Sequence, residues 1–172
     1  KTEFPHEGPG PTEQLQEYSV EKHLGSPTPF KVIRDYSYIG SNYEMPVSDA
    51  FLQPGIYTIE HKVNGRFLDA YLIDGAKDFS ARTETENFSD SQKWIIEEND
   101  DGTYTVRQKE NGRFLDAWRT GGAEDFSAVT RGPKHDGSQK WDIKGSVDGS
   151  YTIQHKVNGR FLDAWESNAN DF

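Results

Sequence analysis

Three carboxylates recur in this chain, each two residues before an aromatic side chain: Asp69 with Tyr71, Asp116 with Trp118, and Asp163 with Trp165. A carboxylate accepts hydrogen bonds from hydroxyls, and an aromatic ring covers an apolar C–H face. A sugar ring needs both. The same Asp has a competing structural use, capping a neighbouring turn or pairing with the Arg three residues before it. Other chemistries find little support. The chain has no Cys, so it offers no thiolate ligand or nucleophile, and it lacks a Gly-x-Ser-x-Gly or phosphate-loop motif. His61 and His155 recur, but Gln108 holds the intermediate position, and His6, His23 and His135 stand apart. No metal or cofactor is therefore expected. A threefold-repeated acid fits repeated binding, whereas hydrolysis by paired carboxylates uses one asymmetric pair. The expected protein is not an enzyme.

The elements that must position these residues come from a repeat. Asn-Gly-Arg-Phe-Leu-Asp-Ala begins at Asn64, Asn111 and Asn158, at a constant spacing of 47 residues. A fixed period of this size marks a repeat architecture. Each copy opens on an alternating β-prone run: Tyr57 to His61, Tyr104 to Gln108, Tyr151 to His155. Asn-Gly then predicts a tight hairpin turn with positive φ. The second strand is Arg-Phe-Leu-Asp-Ala-aromatic, and period-two alternation sets Leu on one face and Asp with the aromatic on the other. With Leu inward, the Asp and aromatic pairs point outward. A third strand follows Asp78-Phe79 and Asp125-Phe126, where Asp78, Asp125 and Asp171 are expected to form Asx turns. The fourth strand runs through Gln92-Lys93-Trp94 and Gln139-Lys140-Trp141. Asp-Gly turns at 101–102 and 148–149 lead into the next copy.

Four short strands per copy and three copies predict an all-β chain folded as a β-trefoil of three repeats of about 47 residues. The repeats span 57–102, 104–149 and 151–172. One copy cannot bury its apolar face alone, so a shared core of Leu68, Leu115, Leu162, Ile59, Val106, Ile153, Trp94 and Trp141 is expected. Residues 1–50 read as a largely irregular Pro-rich tail or linker, and the trefoil domain spans 51–172. Within the tail, 30–43 is β-prone and could add a strand. The third copy ends at Asp171-Phe172, which match Asp125-Phe126, so its third-strand body and its Gln-x-Trp strand are missing. Three things could account for that: an incomplete chain, a tail segment, or another subunit that completes the sheet. The expectation is an incomplete chain.

The Gln-x-Trp near the end of a copy, in phase with Gly-x-x-Leu-Asp near its start, resembles the ricin B-type β-trefoil lectins over about residues 51–172. The resemblance implies sugar-binding roles for Asp69, Asp116 and Asp163. It implies a mainly structural Gln-x-Trp, with Gln92 and Gln139 near the sugar in some members. This chain departs from the family pattern at three places. Thr83 and Thr130 mark the third strand where a stacking aromatic is usual. Ser91 and Ser138 stand where Asn often precedes the Gln. Phe67, Phe114 and Phe161 stand where Cys is frequent. Tyr71, Trp118 and Trp165 could supply the stacking ring instead.

The formal charge of -10 argues against nucleic acid or an anionic membrane surface as partner. No apolar run reaches the length of a membrane span. The expectation is a secreted or extracellular carbohydrate-binding domain whose partners are glycans. It would hold two or three equivalent weak sites used multivalently. The alternative is a structural or protein-binding trefoil in an extracellular assembly, with no sugar site and with the N-terminal tail as docking arm.

Overall fold

A computed structural model describes residues 29–35, 52–72, 79–119 and 126–164; the side chains at positions 72, 118, 119 and 126 fall outside that description. Ten strands form: β1 (Phe30–Arg34), β2 (Gly55–His61), β3 (Phe67–Leu72), β4 (Phe79–Glu84), β5 (Trp94–Glu98), β6 (Tyr104–Gln108), β7 (Phe114–Arg119), β8 (Phe126–Arg131), β9 (Trp141–Gly145) and β10 (Tyr151–His155). All four strands of copies one and two stand where the periodicity places them. The sites expected for Asx turns at Asp78, Asp125 and Asp171 lie outside the described residues.

Six strands close a ring in the order β1, β10, β9, β6, β5, β2, with β2 returning to β1. The hairpins β3–β4 and β7–β8 pack onto it and meet each other through the pairing of β4 with β8. Trp94, Ile96, Val106, Ile59, Ile153 and Leu115 are fully buried in the core, with Trp141, Leu68 and Leu162 at 2–7% exposure. The expected shared core is therefore the observed one.

The ring closes through the tail. In copy one Trp94 faces Gln108 and Ile96 faces Val106; in copy two Trp141 faces His155 and Ile143 faces Ile153. β1 repeats this register, with Phe30 facing His61 and Val32 facing Ile59. Phe30 also pairs with Tyr151, as Trp94 pairs with Tyr57 and Trp141 with Tyr104. The equivalence reaches the hydrogen bonds. Lys109 N donates to Lys93 O and Lys156 N to Lys140 O, and Lys62 N donates to Pro29 O. It reaches the ring contacts too: Phe30 meets His61 edge-on at 5.3 Å, as Trp141 meets His155 at 4.9 Å. β1 thus occupies the fourth-strand place of the third copy. The fourth-strand place of the ring is filled by a tail segment, the second of the three options the sequence left open. Sequence overlay missed this because Phe replaces Trp and no Gln-x-Trp marks the strand.

The repeated residues recur as locks. Trp94 Nε1 donates to Leu68 O at 2.9 Å and Trp141 Nε1 to Leu115 O at 3.0 Å. Arg66 and Arg113 donate to the carbonyls of Thr83 and Thr130. The Asn-Gly turn differs from the tight two-residue hairpin expected. Among the described residues only the glycine of each pair takes positive φ, at 68–70° in Gly65, Gly112 and Gly159. The Asn side chain instead accepts the N–H two residues on, from Arg66, Arg113 and Arg160. Gly65 N donates back to His61 O, which makes a wider loop. Asn acts here through its side-chain acceptor and not through left-handed backbone.

Three ion pairs tie turns of one copy to loops of another: Lys109–Asp90 and Lys140–Asp101 at 2.6 Å, and Lys62–Asp148. The lysine hydrogen bond holds each of these carboxyls below its ordinary range. A lowered folded pKa contributes stability above the unfolded value, near 4, and loses it as pH falls through the folded values. All three carboxylates are exposed, so the effect is modest and screened by salt. The urea midpoint is expected to drop between about pH 5 and pH 2, and to drop less in high salt. A midpoint that stays level across that range would remove these pairs from the account.

Candidate functional site

The three repeated Asp residues are identical in sequence and different in surroundings. Asp69 is 5% exposed and Asp116 0%. They take the outer face as expected, but they are not exposed to solvent there. The segment before the Gln-x-Trp strand, with a 3-10 turn over Asp90–Gln92 in copy one, folds onto the outer side of the Leu-Asp strand. Leu and Asp are therefore both covered, one by the core and one by that segment. Asp69 Oδ1 accepts from Ala70 N at 2.7 Å, and its Oδ2 accepts from Ser91 Oγ at 3.1 Å and Asn87 Nδ2 at 3.4 Å. The carboxylate caps the neighbouring 87–91 turn, which is one of the structural uses weighed above; its partners are Ser91 and Asn87 rather than the strand's Arg.

Asp116 keeps one of these bonds. Its Oδ2 accepts from Ser138 Oγ at 3.1 Å, while Oδ1 is buried without a hydrogen-bond partner among the described residues. Two cations stand near it, Lys134 Nζ at 3.7 Å and Arg131 Nη1 at 3.9 Å from Oδ2. The Lys134 side chain is 35% exposed and connects the buried carboxylate to solvent. Asp163 is half-exposed, accepts from Ala164 N at 2.8 Å, and lies 3.7 Å from His61 Nε2.

The aromatic partners also diverge. The guanidinium of Arg82, opposite Asp69, lies 3.8 Å from the centre of the Tyr71 ring and covers that face. Copy two has Val129 at the matching position, opposite Asp116, so no guanidinium stands there. The Trp118 side chain and all of Trp165 lie outside the described residues.

Gln92 and Gln139 are buried and make matching clamps. Their Oε1 atoms accept from Asn87 N and Lys134 N, and their Nε2 atoms donate to Thr85 O and Gly132 O. Each fixes the loop ahead of its own strand. Sequence reasoning missed Lys134, Arg131 and the two serines as members of the Asp environment. Overlaying the copies carried a signal: Asn87 and Glu84 match Lys134 and Arg131, so copy two gains two cations that copy one lacks.

The sequence matches the model of the ricin-type beta-trefoil lectin domain-like family twice, over residues 50–130 and 91–171. The chain belongs to the ricin-type β-trefoil lectin-like family. The two overlapping matches are offset by nearly one repeat, as expected for a ricin-type chain built from in-phase copies. No curated protein matches it. Solved structures share the fold. The designed threefold-symmetric protein ThreeFoil superposes with a TM-score of 0.60 at 19% identity, covering 67% of this chain and 83% of its own. A salivary protein of the cysteine and tryptophan-rich family from Culex quinquefasciatus gives 0.60 at 18% identity, covering 73% and 87%. A mosquitocidal holotoxin gives 0.50 at 16%, covering 70% of this chain and 16% of the toxin. At these identities the likeness is one of fold. Among the described residues of this ricin-type trefoil, no group of three His, Asp or Glu side chains is arranged to hold a metal.

Proposed function

We propose that this ricin-type trefoil binds carbohydrate without catalysis, and that copy two holds its principal repeat site. The observation that carries the proposal is the unpartnered Oδ1 of Asp116. A buried acceptor left unmade costs about 1–3 kcal/mol, more when charged. A sugar hydroxyl donating to Oδ1 would recover that cost, with Lys134 and Arg131 placed to give hydrogen bonds to neighbouring oxygens. Trp118, two residues on, is the proposed stacking ring. Asp69 with Tyr71, and Asp163 with Trp165, are proposed as weaker companions, and Gln92 and Gln139 as supports of the loops beside them. A single site of millimolar strength is worth only about -4 kcal/mol. Companion sites on one domain would raise avidity for a branched glycan. The same reading places the domain outside the cell, where such glycans are displayed.

A glycan array with the full chain and its Asp116→Asn variant tests this. The substitution keeps the shape and removes the charge. Signal on one glycan family, reduced about tenfold or more in the variant, is the expected outcome. A folded protein that leaves the array blank would overturn the proposal. Equal signal from the variant would move the site away from Asp116.

A further inference from the structure

A groove of about 280 Å³ runs between β1 and the loop that precedes β5. It lies apart from the Asp116 cluster, and it shares Ser89 and Gln92 with the loop that Asp69 braces. Its apolar side is Ile33, Phe67 and Phe88, and its polar rim is Arg34, Asp35, Glu86 and Lys93. Two cations and two anions make that rim neutral on balance.

Phe88 is the unusual member. It is 78% exposed, and among the described non-glycine residues it alone takes a positive φ, 58°. A bulky residue disfavours that backbone conformation, and an exposed ring gains nothing from burial to offset it. The neighbours enforce the geometry. Asn87 N donates to Gln92 Oε1, Ser89 N and Oγ donate to Asn87 Oδ1, and Asn87 Nδ2 reaches Asp69 Oδ2. The brace around Asp69 therefore holds Phe88 up beside the groove. Strain kept in place by a surrounding network and spent on exposing an aromatic ring is a mark of a functional position.

Pseudo-symmetry isolates the feature. β1 and β5 share a register, so Ile33 and Arg34 match Glu97 and Glu98, and the repeat period matches Phe88 with His135. The counterpart between copies one and two thus carries two acids and a histidine where this groove carries an aliphatic, a cation and an exposed ring. Because β1 enters the ring from outside the repeats, the combination occurs once in the described structure.

We propose that this groove binds a single uncharged pyranose residue of a glycan, with Phe88 covering its C–H face and the mixed rim taking its hydroxyls; the proposal rests on the carbohydrate-binding reading above. A rim balanced in charge and rich in donors and acceptors suits a neutral polyhydroxylated ligand. A strongly anionic or cationic one would meet as much repulsion as attraction.

The test is an NMR titration of the full chain with methyl glycosides of galactose, glucose, mannose and N-acetylglucosamine, repeated on Phe88→Gly and Asp116→Asn. Glycine accepts the positive φ, so Phe88→Gly keeps the loop and removes only the ring. The expected result is shifts of the amides at 33–35 and 86–89 in wild type. They should persist in Asp116→Asn and weaken about tenfold or more in Phe88→Gly, whose Tm equals or exceeds that of wild type. Undiminished groove shifts in Phe88→Gly would overturn the proposal, as would a marked fall in its Tm. Shifts confined to the surroundings of Asp116 would overturn the groove and leave the carbohydrate reading standing. Groove shifts together with an array signal indifferent to Asp116→Asn would support the groove and displace the repeat site. No shifts and a blank array would overturn both.

Discussion

Phe30→Ala is expected to destabilise the domain by about 3–5 kcal/mol, as much as truncating a core aromatic inside the repeats. Phe30 is 1% exposed and sits in the core cluster with Tyr57, Ile59 and Ile153. It carries the pairings of β1 to both β2 and β10, so its loss weakens the one strand that closes the ring. Phe30→Trp is the control. At the matching positions Trp94 and Trp141 pack in the same register and donate to Leu68 O and Leu115 O. By the repeat register a tryptophan at 30 would have Leu162 O as its acceptor, and its larger ring in a filled core is expected to cost about 1–3 kcal/mol, less than Phe30→Ala. Urea denaturation of the three proteins measures both values. If Phe30→Ala costs no more than an exposed substitution, β1 is dispensable and the ring closes by other means. The result also shapes any search for a protein partner of the tail. A deletion through residue 45 removes β1 and would unfold the domain, so the informative deletion stops before Pro29.

The second large effect is unequal loss from equal residues, with the two buried aspartates against the half-exposed third. Asp69→Ala is expected to cost about 2–3 kcal/mol, because it strands the Ala70 N–H, the Ser91 hydroxyl and the Asn87 amide that the carboxylate satisfies. Asp116→Ala is expected to cost about 2–3 kcal/mol by a different route: it removes one good bond from Ser138 and the counter-charge of Arg131 and Lys134, along with an acceptor that had no hydrogen-bond partner. Asp163, half-exposed with its carboxylate 3.7 Å from His61 Nε2, should change stability least, by less than about 1 kcal/mol. Thermal and chemical denaturation of the three single variants gives the ranking. Equal costs at all three would mean that the repeat environments are equivalent. The ranking further implies that binding losses at Asp116 have to be measured on the Asn variant, since Ala perturbs the fold as well as the site.

Much of the fold was legible because it repeats. Three in-phase copies of one heptapeptide, with alternation before and Gln-x-Trp after, determined the strands, the β-trefoil class and the core residues Leu68, Leu115, Trp94 and Trp141. Local pattern suffices for this, since period-two alternation and β-branched residues act over a few neighbours. The burial of Asp69 and Asp116 was not legible. Alternation tells which face a side chain takes, but not whether a loop some 20 residues on folds over that face. Tertiary structure also decided that identical Asp residues differ, through Arg82 against Val129 and Asn87 against Lys134. Nor did Phe30–Arg34 carry any mark of membership in the third copy. Its place follows from ring closure, a constraint satisfied only when β2 and β10 are both present to take it between them. The sequence by itself determined a threefold plan. Three-dimensional packing decided which strand closes the ring, which carboxylate oxygen is left without a hydrogen bond among the described residues, and where Phe88 is held exposed.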